Sequence, residues 1–335
     1  MLSSRSMKKI VVCCFALLCF TAVEAQKLNF NKNGIFKIAQ FTDVHYVPGN
    51  SKSDTALLAI QRVLDMEKPD MVIFTGDIVT GKPVKTGWDN VTKLVIDRKI
   101  PFAVALGNHD DESGTTRLEL EKIITDYPYN CNYPAGGQLS GVMNNVLPVY
   151  GSEKDMQVKA LIYCFDSGAY STVSDVSGYG WITSEVIDWY KKQSFHFTRQ
   201  NNFQPLPALA YFHIPLPEYR LAFNDDTNKR VGVRKENECS PGLNSGMFLA
   251  MKEMQDVMGT FAGHDHVNNY IVNYFGIALA YGQFSGWRTT YVPEINGARI
   301  VQLTEGKREF DTWVRLLDGS VEHKVTFPAD LKGGN

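Results

Sequence analysis

Runs of consecutive apolar residues, each ending at a glycine or a short polar cluster, alternate along the first third of the chain with segments whose apolar residues recur at helical spacing. Residues 36–41 read as a strand. In 55–67, Leu57, Ile60 and Leu64 fall on one face of a helix, and 71–75 returns as a strand that is apolar on both faces. Residues 91–97 predict a second crossover helix, and 102–106 the strand that follows it. Strand, helix, strand in this order favours parallel pairing with the helices outside the sheet. The pattern changes after Val142. From there to Asp166, strand-like runs such as 161–165 occur with no helix between them, which predicts antiparallel pairing. Residues 184–192 give another helix, and 270–272, 277–281, 299–303 and 310–316 read as antiparallel strands. An α/β fold accommodates all of this: two mixed β-sheets packed face to face with helices on both outer faces, a four-layer αββα sandwich.

The polar residues that interrupt this pattern sit where the predicted strands end. They form five segments: Asp43-Val44-His45, Gly76-Asp77, Gly107-Asn108-His109-Asp110, His213 after an apolar run, and Gly263-His264-Asp265-His266. Together the segments hold five of the 7 histidines; His196 and His323 lie outside them and are read as surface or structural. Strand ends on one edge of a sheet are where α/β folds place their sites, so the five segments predict a single site. Gly76, Gly107 and Gly263 each stand just before a polar residue of the set, where a chain leaving a strand must turn and approach its neighbours closely.

Carboxylate, imidazole and amide oxygen are ligands that hard and borderline metals prefer, and no cysteine is among them. Asp43, His45, Asp77, Asn108, His213, His264 and His266 exceed what one tetrahedral ion needs and leave an aspartate free to bridge two. The residues therefore predict a dinuclear hydrolytic site.

In this order, D-x-H, G-D, G-N-H-D, H and G-H-x-H resemble the calcineurin-like metallophosphoesterase superfamily, over about Phe36 to Leu303. The resemblance implies that Asp43, His45 and His266 hold a first metal, that Asn108, His213 and His264 hold a second, and that Asp77 bridges them. It also implies a hydroxide shared by the two ions as nucleophile, with no protein nucleophile. His109 would serve the leaving group, either as general acid or by orienting phosphate, with Asp110 helping to keep it protonated. The ions are expected to be divalent or trivalent, with Fe, Zn and Mn all suited to the donor set.

Residues 36–42, Asn244-Ser245-Gly246 and 263–268 further resemble a subgroup that includes plant proteins labelled probable inactive purple acid phosphatases and a related fungal phosphatase. Purple enzymes carry an iron-binding tyrosine three residues after the Gly-Asp aspartate; here Thr80 stands there, and His45 is an addition. No purple colour is expected.

Composition narrows the reading further. With 34 basic and 36 acidic residues there is no footprint for nucleic acid or an anionic membrane. Arg5, Lys8 and Lys9 before the apolar run 10–23, with Val23-Glu24-Ala25 at its end, predict a signal peptide over 1–25. Cleavage before Gln26 would leave 26–335 as a single domain, secreted or periplasmic, with no transmembrane segment. Lipoprotein anchoring at Cys19 is disfavoured because Leu18 stands where a small residue is needed. Cys131, Cys164 and Cys239 then remain, enough for one disulfide at most. The charged stretch 215–245 after His213 is expected to overhang the site, and Tyr46 and Trp287 are aromatics that would either pack or stack on substrate. A phosphoester is the expected partner. The leading reading is a phosphomonoesterase, with a phosphodiesterase or pyrophosphohydrolase and a catalytically silent metal-binding module as alternatives.

Overall fold

A strand that is apolar on both faces must be covered on both, and the chain does this with two stacked sheets and two layers of helices. The computed structural model describes residues 27–134, 139–152, 156–286 and 295–332. The predicted leader, its cleavage site and Trp287 lie outside the described residues. In chain order come β1 (Leu28–Asn29), β2 (Ile35–Phe41), α1 (Ser51–Glu67), β3 (Met71–Thr75), α2 (Val84–Ile96), β4 (Phe102–Ala105) and α3 (Arg117–Thr125). Then follow β5 (Asn145–Tyr150), β6 (Val158–Cys164), α4 (Ser184–Gln200), β7 (Ala208–Tyr211), α5 (Glu218–Asn224), β8 (Arg230–Val231) and α6 (Met247–Met254). The last part holds β9 (Val257–Ala262), β10 (Ile271–Tyr274), β11 (Ile277–Tyr281), β12 (Gly297–Thr304), β13 (Phe310–Leu316) and β14 (Val321–Phe327).

Among the described residues the strands form a sheet in the order β14-β13-β12-β2-β3-β4 and another in the order β1-β5-β6-β7-β9-β11-β10-β8. In the first, β2, β3 and β4 are parallel and β12 runs antiparallel to β2. In the second, β6, β7, β9 and β11 are parallel, while β5 with β6 and β10 with β11 are antiparallel. Alternate residues divide between the layers as the strand period requires. Ala39, Phe41, Val72, Phe74 and Val104 pack on the side of α1 and α2, whereas Ile38, Ile73 and Ala103 meet Ile162, Leu209, Phe261 and Ala280 between the sheets. On the far side, Tyr163, Ala210 and Leu279 pack with Val186 and Tyr190 of α4, Tyr219 of α5 and Met251 of α6. The predicted four-layer αββα sandwich is met.

The departures from expectation lie at element ends and in whole elements that the pattern did not announce, among them α3 and β14. Helix α1 begins at Ser51 because the Asn50 side chain caps it, accepting from the Lys52 amide. Helix α2 begins at Val84, where Val84 and Trp88 continue the buried stripe of Val91 and Val95. Helix α3 went unpredicted although Thr116 and Glu119 form a capping box at its start. The stretch 215–245 is partly regular, holding α5 and β8. None of the helices among the described residues is long and apolar enough to cross a membrane.

Helix α1 is tied to the antiparallel edge through Glu67, whose Oε1 accepts from Trp313 Nε1 at 3.0 Å and Arg315 Nε at 2.7 Å. Burial pushes this carboxyl up, but the two donors outweigh it and leave it below the usual glutamate range. A depressed folded-state value means stability present above the unfolded glutamate value and lost as pH falls through the folded one. Glu67→Gln is expected to cost about 1–2 kcal/mol at neutral pH, with the difference from the parent shrinking in acid. Urea unfolding of both proteins at neutral and acidic pH checks this, and a difference independent of pH would contradict it.

Candidate metal centre

The carboxyl ends of β2, β3, β4, β7 and β9 meet on one edge of the sandwich, and all seven predicted ligands stand within a few residues of those ends. Asp43, His45 and His266 form one cluster and Asp77, His213 and His264 another, the donor atoms within each lying at most 4.8 Å apart. In the first, His45 Nε2 and His266 Nε2 are 3.2 Å apart, and His266 Nε2 is 3.3 Å from Asp43 Oδ1. In the second, His213 Nε2 is 3.2 Å from Asp77 Oδ2, 3.1 Å from Asn108 Oδ1 and 3.2 Å from His264 Nδ1. One oxygen faces both clusters: Asp77 Oδ2 also lies 3.9 Å from His45 Nε2.

The backbone is bent to make this possible. Asp43, His45, Asp77 and His264 have φ of 54°, 49°, 54° and 77°, in the left-handed region that non-glycine residues rarely enter. Such conformations persist only when the surroundings impose them, and they gather at functional sites. Here Asp43 N donates to Gly76 O and His45 N to Asp77 O, so the first loop is sewn to the second. Asp43 in turn accepts from the His264 amide at 3.0 Å and from Thr42 Oγ1 at 2.7 Å. Two glycines are required by crowding: a Cβ on Gly107 would lie 2.2 Å from Asp77 Oδ1, and one on Gly263 would lie 2.0 Å from Thr42 Oγ1.

Asp110 is not directed at His109. It is fully buried, and its two oxygens accept from the backbone amides of Asp77, Ile78, Val79 and Gly107 at 2.8–3.3 Å. The carboxylate beside the His109 ring is instead Glu112, whose Oε2 is 2.6 Å from His109 Nδ1. Neighbours in sequence diverge here because the chain turns sharply, with Glu112 N bonded back to His109 O. Sequence reasoning missed Glu112, and it missed Tyr170 and Tyr179, which border the same site.

In the metal-free site the histidines divide by charge: His45 and His264 are held neutral, whereas His213 and His266 are favoured as cations and would give up a proton on binding a metal. Burial pushes His45 down to about 4, and burial with the nearby His213 charge pushes His264 down to about 3, so both present neutral imidazoles near pH 7. Burial would raise Asp43, but His266 beside it prevails and holds the carboxyl at about 2. Burial opposes a charge on His213, yet Asp77 overrides it and lifts the imidazole to about 10; Asp77 itself is held well below the carboxylate range by that pair. Burial and the charge of Asp77 raise the Asp110 carboxyl.

The residues fit a pair of metal ions by geometry as well as by type. His213 Nδ1 is 2.7 Å from the Thr75 carbonyl, which only an N–H can serve, so Nε2 is the nitrogen left to face the cluster. His264 turns its Nδ1 toward His213 Nε2. The contacts of 3.1–3.3 Å match the edge of a ligand tetrahedron, about 3.3 Å for bonds of about 2 Å.

Of the other expectations, Tyr46 is a packing residue, buried, with its hydroxyl donating to Asp54 and accepting from Asn90. The stretch 215–245 lies against the last motif, where Asn268 Oδ1 accepts from the Lys235 amide and Glu236 Oε1 from the Val267 amide. Cys131, Cys164 and Cys239 are free thiols.

The calcineurin-like phosphoesterase family model matches residues 36–268. An Arabidopsis thaliana protein named Probable inactive purple acid phosphatase 29 is 35% identical over 306 residues, covering 81% of this chain and 78% of its own length. Phosphatase DCR2 of Saccharomyces cerevisiae is 31% identical over 348 residues, covering 93% of this chain, which spans 58% of that longer protein. A dimetal phosphatase from Danio rerio superposes with a TM-score of 0.59 at 12% identity, covering 87% of this chain and 98% of that one, a likeness of fold.

Proposed function

Because the chain belongs to the calcineurin-like phosphoesterase family, we propose that it is a metal-dependent phosphoester hydrolase with a preference for monoesters, holding two ions in the clusters just described. The observation that carries the reading is Asp77 Oδ2, which faces a histidine of each cluster, a position from which it would bridge two ions. Asp43, His45 and His266 would hold one ion; Asn108, His213 and His264 would hold the other. Bound ions supply Lewis acidity and lower the pKa of the solvent they share. The chain's own part is to fix that arrangement and to serve the leaving group. His109, its side chain 38% exposed and its ring centroid 5.7 Å from that of His45, stands at the mouth of the site and would meet the leaving oxygen.

The monoester preference is supported by the naming of similar proteins as phosphatases. The word inactive belongs to the plant protein's name; what supports activity here is that Asp43, His45 and His266 lie close together, as do Asp77, His213 and His264, with Asn108 beside His213. Thr80 in place of an iron-binding tyrosine fits a colourless centre. Residues 1–25 would carry the chain into a secretory route, to the exterior or a periplasm.

The test is hydrolysis of p-nitrophenyl phosphate against bis(p-nitrophenyl) phosphate after loading with Mn, Fe or Zn. Faster monoester turnover is expected. Faster diester turnover would move the reading to a phosphodiesterase, and no turnover with any metal would leave a silent binding module.

A further inference from the structure

We propose that Glu112 is a positioning residue that orients the His109 ring toward the leaving group, and that Tyr170 holds Glu112 in place. Both oxygens of Glu112 are engaged: Oε2 lies 2.6 Å from His109 Nδ1, and Oε1 accepts from the Tyr170 hydroxyl at 2.9 Å. Tyr170 rides on a hairpin closed by its bridge to Tyr179, with Ser171 N donating to Gly178 O and Gly180 N to Ala169 O. The contacts then return to the metal clusters. Asn108 Nδ2 donates to the Tyr170 hydroxyl at 3.5 Å, Tyr170 stacks on Tyr179 with centroids 5.8 Å apart, and Tyr179 stands edge-on to His264 at 4.3 Å.

The magnitudes point to orientation rather than stability. The His109 and Glu112 side chains are 38% and 48% exposed, and an exposed pair three residues apart adds little to folding. What the pair does fix is the ring. A carboxylate accepts only from an N–H, so Nδ1 carries a proton and Nε2 is the nitrogen free to face the substrate. In the step this serves, a hydroxide oxygen derived from water bonds to phosphorus as the bond from phosphorus to the leaving oxygen breaks; the electron pair of the broken bond stays on the leaving oxygen, and the proton on His109 Nε2 moves to it. The Nδ1 proton stays on the ring, donated to Glu112, and water reloads Nε2. Without the anchor the ring turns freely about its side-chain torsions, and proton delivery falls while metal binding does not. For its catalytic consequence the proposal rests on the hydrolase reading above; its structural content does not.

Two readouts separate the claims. The first is the His109 tautomer by ¹⁵N NMR of the purified chain, with and without zinc. A proton on Nδ1 is expected in the parent chain and a shift toward Nε2 in Glu112→Ala, with Tyr170→Phe moving the same way by less. The second is turnover of ethyl phosphate, a poor leaving group, beside p-nitrophenyl phosphate, a good one. Glu112→Ala should lower kcat on ethyl phosphate by about 10- to 100-fold and on the aryl ester by less than about threefold, with KM and metal content unchanged. Equal losses on both esters, or a tautomer that does not respond to Glu112→Ala, would overturn the proposal. If the parent chain turns over neither ester, the hydrolase reading fails and the tautomer alone decides the positioning claim.

Discussion

Asp77→Asn is expected to lower phosphoester turnover by about a thousandfold or more, on the order of 4 kcal/mol of barrier, and to remove at least one of the two ions. The substitution keeps shape and volume but exchanges an anionic oxygen for an N–H₂ donor. Oδ2 faces His45 Nε2 and His213 Nε2, so an amide placed there opposes both the lone pairs and any cation between them. The Oδ1 bond from the His109 amide, at 2.8 Å, can survive through the remaining carbonyl, so the loop need not unravel. Elemental analysis and monoester turnover of the variant beside the parent check this. Full metal content with full turnover would remove Asp77 from the bridging position.

Asp110→Ala is expected to destabilise the chain by about 4 kcal/mol and to lower the melting temperature by roughly 10 °C. The parent carboxylate accepts from four backbone amides that belong to two of the ligand-bearing loops. Alanine leaves those N–H groups without their acceptor in a buried place, each costing about 1–3 kcal/mol unless water enters. Because two of the amides are those of Asp77 and of Gly107, which precedes Asn108, the ligands shift as well, and metal affinity falls with stability. Thermal unfolding should be compared in the metal-free state, since ions that bind only the folded form mask part of the loss. A variant that melts within a degree or two of the parent would contradict the account of Asp110 as the staple between the loops.

These two aspartates mark how far the sequence could be read. The strands were legible because runs such as Met71–Thr75 are apolar on both faces, a demand that only a covered sheet meets. The ligands were legible because histidine, aspartate and asparagine stand at the ends of those runs. Asp110 was misread because adjacency to His109 was the available cue, whereas the turn sends the carboxylate into the loop below and Glu112 to the ring. The role of Glu112 depends on Tyr170, brought from a distant hairpin, and no local pattern announces such a meeting. The left-handed backbone at Asp43, His45, Asp77 and His264 was likewise unreadable, since the expectation had assigned the bending to the glycines.

Arg299 is a further case. The segment 299–303 reads correctly as part of a strand, but nothing local says that its arginine is fully buried between the sheets. Its guanidinium donates to the carbonyls of Tyr281 and Asn269 and to Thr312 Oγ1, and burial lowers it to about 10. The starts of α1 and α2 were misplaced for a simpler reason. The Asn50 cap and the Val84 and Trp88 positions lie beyond the short windows in which the apolar spacing is clear.

The central claim is that two clusters joined by Asp77 hold two catalytic ions. Elemental analysis of the chain, purified without chelator and then equilibrated with Mn, Fe or Zn, tests it most directly. About two ions per chain, falling to one or none in Asp77→Asn, is the predicted result. No tightly held ion with any of the three metals would contradict it.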